Sequence, residues 1–141
     1  MGLRQGKLRK AEALRCLPEL ADVPAKDLVA LAKLFDEIDY AKGSVLMREG
    51  DIGQQAYVIV DGSVRVTLRD RTLAILGPGE VVGEMALMDG EPRSATVTAS
   101  ENVRALVASR VDFAEFAEQP AGWRVLARAL SGRIRSVQPT R

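Results

Sequence analysis

The spacing of apolar residues changes along the chain, and this change limits the folds open to it. Residues 7–17 and 25–35 carry apolar side chains every three or four positions, which predicts two amphipathic helices. From residue 37 to residue 107, short alternating runs are separated by glycine-containing turns. The predicted strands are residues 38–40, 45–47, 57–60, 64–68, 73–76, 96–99 and 103–107. Many short strands of this kind are typical of an antiparallel β-barrel or jelly roll.

Two further helices are predicted after the strands. Ser109 is a candidate N-cap of a short helix, just as Asp22 is for the helix of residues 25–35. Residues 119–122 contain a proline and a glycine, which predicts a break, and residues 123–137 form a final helix with one apolar stripe. We therefore divide the single domain into an N-terminal helical segment (1–36), a strand region (37–108) and C-terminal helices (109–141).

Composition limits where the protein works. The chain has 141 residues, of which 47% are hydrophobic, enough for one domain with its own core. No apolar run approaches the length of a membrane span, and no signal-peptide core is present. The one cysteine, Cys16, cannot form an internal disulfide, which suits a reducing compartment. We expect a cytoplasmic protein.

The charged residues are unevenly distributed. Residues 16–120 hold ten basic and eighteen acidic residues, whereas both ends of the chain are basic. Basic ends could contact nucleic acid, but scattered arginines on helix surfaces are the commoner explanation, so we expect no nucleic-acid partner. The chain has no histidine. This absence removes Ser-His-Asp and Cys-His catalysis and the usual zinc ligand sets, so we expect no catalytic residue, no metal site and no enzymatic activity.

Residues 77–97 have the features of a binding site for a small phosphorylated ligand. A glycine-rich turn and a short Val81-Val82 strand lead to Gly83, which permits close backbone approach, and a short helix follows. Amides at a helix N-terminus, together with the helix dipole, favour an anion. Arg93 is the only basic residue between Thr72 and Val103, and a guanidinium group matches phosphate geometry.

Glu84 gives this stretch its second chemical property. An ionised carboxylate only accepts hydrogen bonds and repels a neighbouring phosphate, so sugar hydroxyl groups are its natural partners. Considered alone, Glu84 would be an acidic residue that stabilises a helix N-terminus. Beside Gly83 and Arg93, it instead indicates a ligand that carries both a phosphate and vicinal hydroxyls. Such a ligand is a nucleotide.

The same residues carry a family resemblance. Residues 83–87 (Gly-Glu-Met-Ala-Leu) and 92–95 (Pro-Arg-Ser-Ala) resemble, in type and spacing, the phosphate-binding cassette of the cyclic nucleotide-binding domain family. Further matches are Gly43, residues 50–53, residues 57–59, Gly62 and residues 76–79. The resemblance extends from about residue 17 to the C-terminus. One departure is Val81-Val82, where family members are often aromatic.

The resemblance assigns roles to residues of the cassette. It implies that Glu84 binds the ribose 2′-hydroxyl, and that Arg93 and the amides of Met85 and Ala86 bind the cyclic phosphate. Gly83 lets the backbone approach the ligand. Ser94 occupies the position that influences base selectivity, and we expect cyclic AMP, with cyclic GMP as the alternative. No other cofactor is expected.

The resemblance also implies where the base lies and how binding is signalled. The base would be buried against Val64, Val66 and Val82, beneath a C-terminal helix that acts as a lid. Its capping residues would come from the apolar stripe of residues 123–137. The candidates are Trp123, Leu126 and Leu130.

Two functions remain open from the sequence. The first is a non-enzymatic cyclic nucleotide sensor that acts through its C-terminal helix on an effector protein or domain outside this chain. The second is a barrel that no longer binds nucleotide and serves for docking or dimerisation through its basic terminal helices. Intact Glu84 and Arg93 favour the sensor, since docking alone requires neither.

Overall fold

Eight antiparallel strands form two four-stranded sheets in this computed structural model, which describes residues 9–137 and the side chains of residues 9–131. The strands are β1 (Asp36–Tyr40), β2 (Val45–Met47), β3 (Gln55–Asp61), β4 (Val64–Leu68), β5 (Arg71–Leu76), β6 (Val81–Val82), β7 (Thr96–Ala99) and β8 (Val103–Ser109). One sheet has the order β1-β8-β3-β6 and the other β2-β7-β4-β5. The sheets are not closed into a barrel, so the jelly-roll form of the prediction is the correct one.

The two sheets pack face to face around an inter-sheet core. Each sheet presents its inward side chains to the other, as the alternation along each strand requires. The buried members of this core are Leu46, Tyr57, Ile59, Val64, Val66, Val82, Val97, Ala99, Val103, Ala105 and Val107. Tyr57 satisfies its buried hydroxyl by donating a hydrogen bond to the carbonyl oxygen of Leu46 at 2.8 Å.

The opposite face of the β1-β8-β3-β6 sheet is covered by helices. Along β3, Tyr57 and Ile59 enter the inter-sheet core, whereas Ala56 and Val58 enter a helical core. Both faces of β3 are therefore buried, which explains why it reads as a continuous apolar run. The fully buried leucine and phenylalanine residues of the helical core are Leu14, Leu17, Leu20, Leu28, Phe35, Leu106, Phe113, Phe116 and Leu126.

The N-terminal helices differ in part from the prediction. The first predicted helix starts outside the described residues; residues 9–13 are helical, and Leu14–Cys16 and Pro18–Leu20 are 3-10 turns. Helix α1 (Ala25–Ala32) ends three residues earlier than predicted, although Phe35 is buried as expected. Asp22 is not its N-cap, because Pro24 occupies that position without a side-chain cap.

Helix α2 (Glu84–Asp89) is the predicted insertion between strands, and α3 (Arg110–Glu118) and α4 (Pro120–Val137) follow the last strand. The Ser109 cap is confirmed, since its hydroxyl accepts a hydrogen bond from the Asp112 amide at 3.2 Å. The predicted break is shorter than expected, because only Gln119 separates α3 from α4. Within the described residues, no helix combines the length and apolar character needed to cross a membrane.

Gly122 explains the error about the break. A Cβ atom at this position would lie 1.9 Å from the Phe116 carbonyl oxygen. Glycine is therefore present because the first turn of α4 crosses the end of α3 at backbone contact, and not because it ends a helix. Pro120 is tolerated because a proline in the first helical turn loses no intrahelical hydrogen bond.

Candidate functional site

Gly83 forms the sharp connection between β6 and α2. Its φ angle of +87° lies in the left-handed region, which glycine adopts without strain. A Cβ atom here would also lie 2.8 Å from Nη1 of Arg93 and 3.0 Å from the carbonyl oxygen of Gln55. Both the backbone angle and the lack of space therefore require glycine. The expected close approach is real, and the group that it admits is the Arg93 side chain.

An open cleft lies beside this connection. Its cavity volume is about 130 Å³, below the ~300–1,000 Å³ typical of enclosed small-ligand sites, so the cleft is small and open to solvent. Both apolar and polar side chains line it. The lining residues are Met47, Val66, Gly83, Met85, Ala86, Asp89, Glu91, Pro92, Arg93, Ser94, Ala95 and Val97.

Arg93 is the buried cation of the cleft, with only 7% of its surface exposed. Its Nη1 and Nη2 groups donate hydrogen bonds to the carbonyl oxygens of Gly83 (2.7 Å) and Gln55 (2.6 Å). Its main chain is also fixed, since the Arg93 amide donates a hydrogen bond to the Asp51 carbonyl oxygen and the Arg93 carbonyl oxygen accepts one from the Gly50 amide. Burial lowers the pKa of Arg93, since desolvation penalises the charged form. An anion bound in the cleft would offset that penalty.

Glu84 is the first residue of α2 and is fully buried. Its carboxylate attracts the Arg93 guanidinium and acts to raise the pKa of Arg93 against the effect of burial. Glu84 and Arg93, which the sequence analysis assigned to one binding site, therefore interact electrostatically in the fold. Arg93 lines the cleft and Glu84 does not, so in this structure Glu84 influences the cleft through its charge on Arg93.

The structure brings together most of the predicted site and separates the rest. Six predicted residues line the cleft, namely Gly83, Met85, Ala86, Arg93, Ser94 and Val66. Glu84 is fully buried and does not line it. Val64 and Val82 are fully buried in the inter-sheet core and do not line it, whereas Val66 does. None of the α4 residues whose side chains are described lines the cleft.

The predicted lid residues lie elsewhere. Leu126 is 1% exposed in the helical core, and Leu130 packs partly against that core. Trp123 is 56% exposed, so the predicted stripe on α4 is rotated from the face that packs. Val125, which the sequence did not single out, is fully buried beside Leu126.

Arg110 contributes to the structure around the cleft, and the sequence analysis did not identify it. Its Nη2 donates to the Gly53 carbonyl oxygen at 2.7 Å, and its Nη1 donates to the Leu87 carbonyl oxygen at 3.2 Å. Arg110, the first residue of α3, therefore links the loop that contains Gly53 to the C-terminal half of α2. No local pattern could reveal this, because its partners lie 23 and 57 positions away.

No cluster of three or more His, Cys, Asp or Glu side chains suited to a metal ion occurs in the part of the chain that the structure describes. Asp89 and Glu91 line the cleft, but Asp89 accepts a hydrogen bond from the amide of Glu91 at 2.9 Å. That contact closes the turn after α2. The chemistry of the cleft therefore depends on its buried arginine, on the nearby charge of Glu84 and on backbone amides.

A model of the cyclic nucleotide-binding domain family matches residues 37–120, more than half of the chain. The chain belongs to the cyclic nucleotide-binding domain family. A cyclic nucleotide-gated potassium channel of Rhizobium etli is 34% identical over 110 residues, which cover 78% of this chain and 31% of the channel. A CRP-like cAMP-activated global transcriptional regulator of Mycobacterium tuberculosis is 30% identical over 114 residues, which cover 77% of this chain and 51% of the regulator.

The structural comparison agrees with this membership. The crystal structure of the Thermus thermophilus catabolite activator protein matches with a TM-score of 0.73 and 32% identity, covering 86% of this chain and 60% of that one. This cyclic nucleotide-binding domain spans about a third to a half of the length of the two curated relatives. The family resemblance that the sequence predicted is confirmed.

Proposed function

We propose that this domain binds cyclic AMP in the cleft beside α2 and acts as a non-enzymatic regulatory module. The observation that carries the proposal is Arg93, a guanidinium buried at the cleft wall. An arginine has five N–H donors, and the hydrogen bonds to Gly83 and Gln55 use one from each terminal nitrogen. The cyclic phosphate would engage the remaining donors and stabilise the charge that burial disfavours.

The other contacts follow from the positions of the cassette residues. The amides of Met85 and Ala86, in the first turn of α2, would complete the phosphate cradle, and Glu84 would accept a hydrogen bond from the ribose. The apolar residues that line the cleft offer a surface for the base. Since Val64 and Val82 lie in the inter-sheet core, we assign that surface to Met47, Val66 and Val97 instead.

The preference for cyclic AMP is tested by calorimetry of the purified protein with cyclic AMP and then cyclic GMP. Saturable binding at one site per chain, tighter for cyclic AMP, is expected. Ser94 lines the cleft, so Ser94→Thr should shift the preference toward cyclic GMP, whereas Thr98→Ser, outside the cleft, should not. Failure of nucleotide-free, folded protein to bind either nucleotide would leave docking or dimerisation as the better account.

We assign the output of the domain to α4. Leu87 of α2 packs in the same core as Val125 and Leu126 of α4, so a shift of the cassette helix would reach α4 through this shared core. Binding would thereby change the position of α4, which an effector outside this chain would read. The cytoplasmic location stays a prediction.

Hydrogen exchange tests this output directly. Amides of α4 should become more protected when cyclic AMP is added, because a lid closed over the cleft has fewer opening motions. Strand β5, which contributes no residue to the cleft lining, is the internal control and should change little. Identical protection of α4 with and without saturating cyclic AMP would refute the proposed signal, even if binding itself were established.

A further inference from the structure

Arg128, midway along α4, links three separate parts of the fold. Its Nε and Nη2 groups donate to the two carboxylate oxygens of Glu19 at 2.5 and 3.1 Å. Nη2 also donates to the carbonyl oxygen of Gly79 at 3.0 Å. Glu19 belongs to the N-terminal 3-10 turn Pro18–Leu20, and Gly79 to the turn that precedes β6. We call these three residues the Arg128 junction.

The geometry of the junction is that of a strong ion pair. Two N–H groups of one guanidinium meet both oxygens of one carboxylate, which fixes the orientation of both side chains. The Glu19 side chain is 14% exposed, so water screens the pair only in part. Burial acts to raise the pKa of Glu19. The hydrogen bonds from Arg128 and its positive charge together lower that pKa by more, so it lies below its usual value. The pair is ionised at neutral pH.

The Gly79 end of the junction is firmly attached to the sheet. The Gly79 amide donates to the Ile59 carbonyl oxygen at 2.8 Å, which ties the turn to β3. Gly79 has a φ angle of +88°, and a Cβ atom here would lie 2.8 Å from the Cys16 carbonyl oxygen. The turn is thus pressed against the N-terminal segment, and Arg128 holds α4 to a fixed point beside β6.

We propose that the Arg128 junction holds α4 away from the cleft and thereby limits the nucleotide affinity of the domain. The α4 side chains that the structure describes lie outside the cleft. Because Arg128 holds α4 to Glu19 and Gly79, movement of α4 toward the cleft would pull against these contacts. If the closed form is the one that binds tightly and is rarely populated, the apparent affinity falls in proportion to the fraction of molecules that are closed. The junction therefore opposes closure. This inference rests on the proposed function, in which α4 closes over bound cyclic AMP.

Two single substitutions test the junction. Arg128→Ala removes the cation, and Glu19→Gln removes the opposing charge with almost no change in shape. Both variants should bind cyclic AMP more tightly, by about three- to tenfold, because less interaction must be broken on closure. The double variant should gain no more than the larger single effect, since both changes remove the same contact. Arg65→Ala removes the same charge from an exposed position of β4, outside the junction, and should change affinity less than twofold.

The test also separates this inference from the proposed function. Hydrogen exchange of α4 without nucleotide should be faster in Arg128→Ala and Glu19→Gln than in the wild-type protein, and this readout requires no binding. If wild-type protein binds no cyclic nucleotide, the proposed function fails, and exchange still decides whether the junction restrains α4. Wild-type or weaker cyclic AMP binding by folded Glu19→Gln, or unchanged exchange in α4, would overturn the proposal.

Discussion

Replacing Arg93 with alanine should weaken cyclic AMP binding by about 2–5 kcal/mol, the usual effect of truncating one partner of a buried charge contact. This corresponds to a loss of roughly thirtyfold to several thousandfold in affinity. The reason is that Arg93 is 7% exposed at the cleft wall and supplies its only basic side chain among the residues that line it. Calorimetric titration with cyclic AMP measures the effect.

The matched control is Arg65→Ala, which removes an exposed arginine from the outer face of β4 and should leave affinity unchanged. Arg93→Lys keeps the charge but loses the two-pronged geometry, so its affinity should be intermediate. Because Arg93 also satisfies the carbonyl groups of Gly83 and Gln55, the stability of each variant is measured without ligand. Wild-type affinity in a folded Arg93→Ala variant would refute the site.

Replacing Gly122 with alanine should lower the free energy of unfolding by about 2–3 kcal/mol, toward the upper end of the effect of overpacking a core. In an ordinary helix interior the same change is stabilising by up to about 1 kcal/mol. The sign reverses here because the new methyl group would lie 1.9 Å from the Phe116 carbonyl oxygen and 2.7 Å from its carbon. Backbone atoms cannot rotate away, so α3 and α4 must separate.

Denaturant unfolding of the two proteins measures this difference. Ser131→Ala, at an exposed position of the same helix, should be neutral or slightly stabilising, which separates helix propensity from the clash. An unchanged or raised unfolding midpoint in Gly122→Ala would show that the two helices do not approach as closely as described.

The strands were the most predictable part of the fold. β4 and β7 have the predicted bounds, because alternation of side chains is strict there and turn residues flank both strands. β5 begins two residues earlier than predicted, at Arg71. The turn before it is completed by Arg69 and Asp70 alone, both with positive φ angles. Composition indicated a turn but could not give its length.

The cassette was predictable because its residues are contiguous in sequence. The other residues that line the cleft could not be predicted, because they come from separate strands. Val64 and Val66 share one face of β4, and strand periodicity alone cannot tell which of them lies near the cleft. Arg110 contributes through partners distant in sequence. On α4, the buried face includes Gly122, Val125 and Leu126, a helical repeat that was hidden because Gly122 was interpreted as a breaker.

The sheet that lies between the two cores has a consequence for how the domain loses its structure. β3, β6 and β8 each send alternate side chains into the inter-sheet core and into the helical core. Neither core can therefore lose its packing while the other keeps all of its own, because they are built on the same backbone segments. The domain has two hydrophobic interiors and one cooperative folding unit.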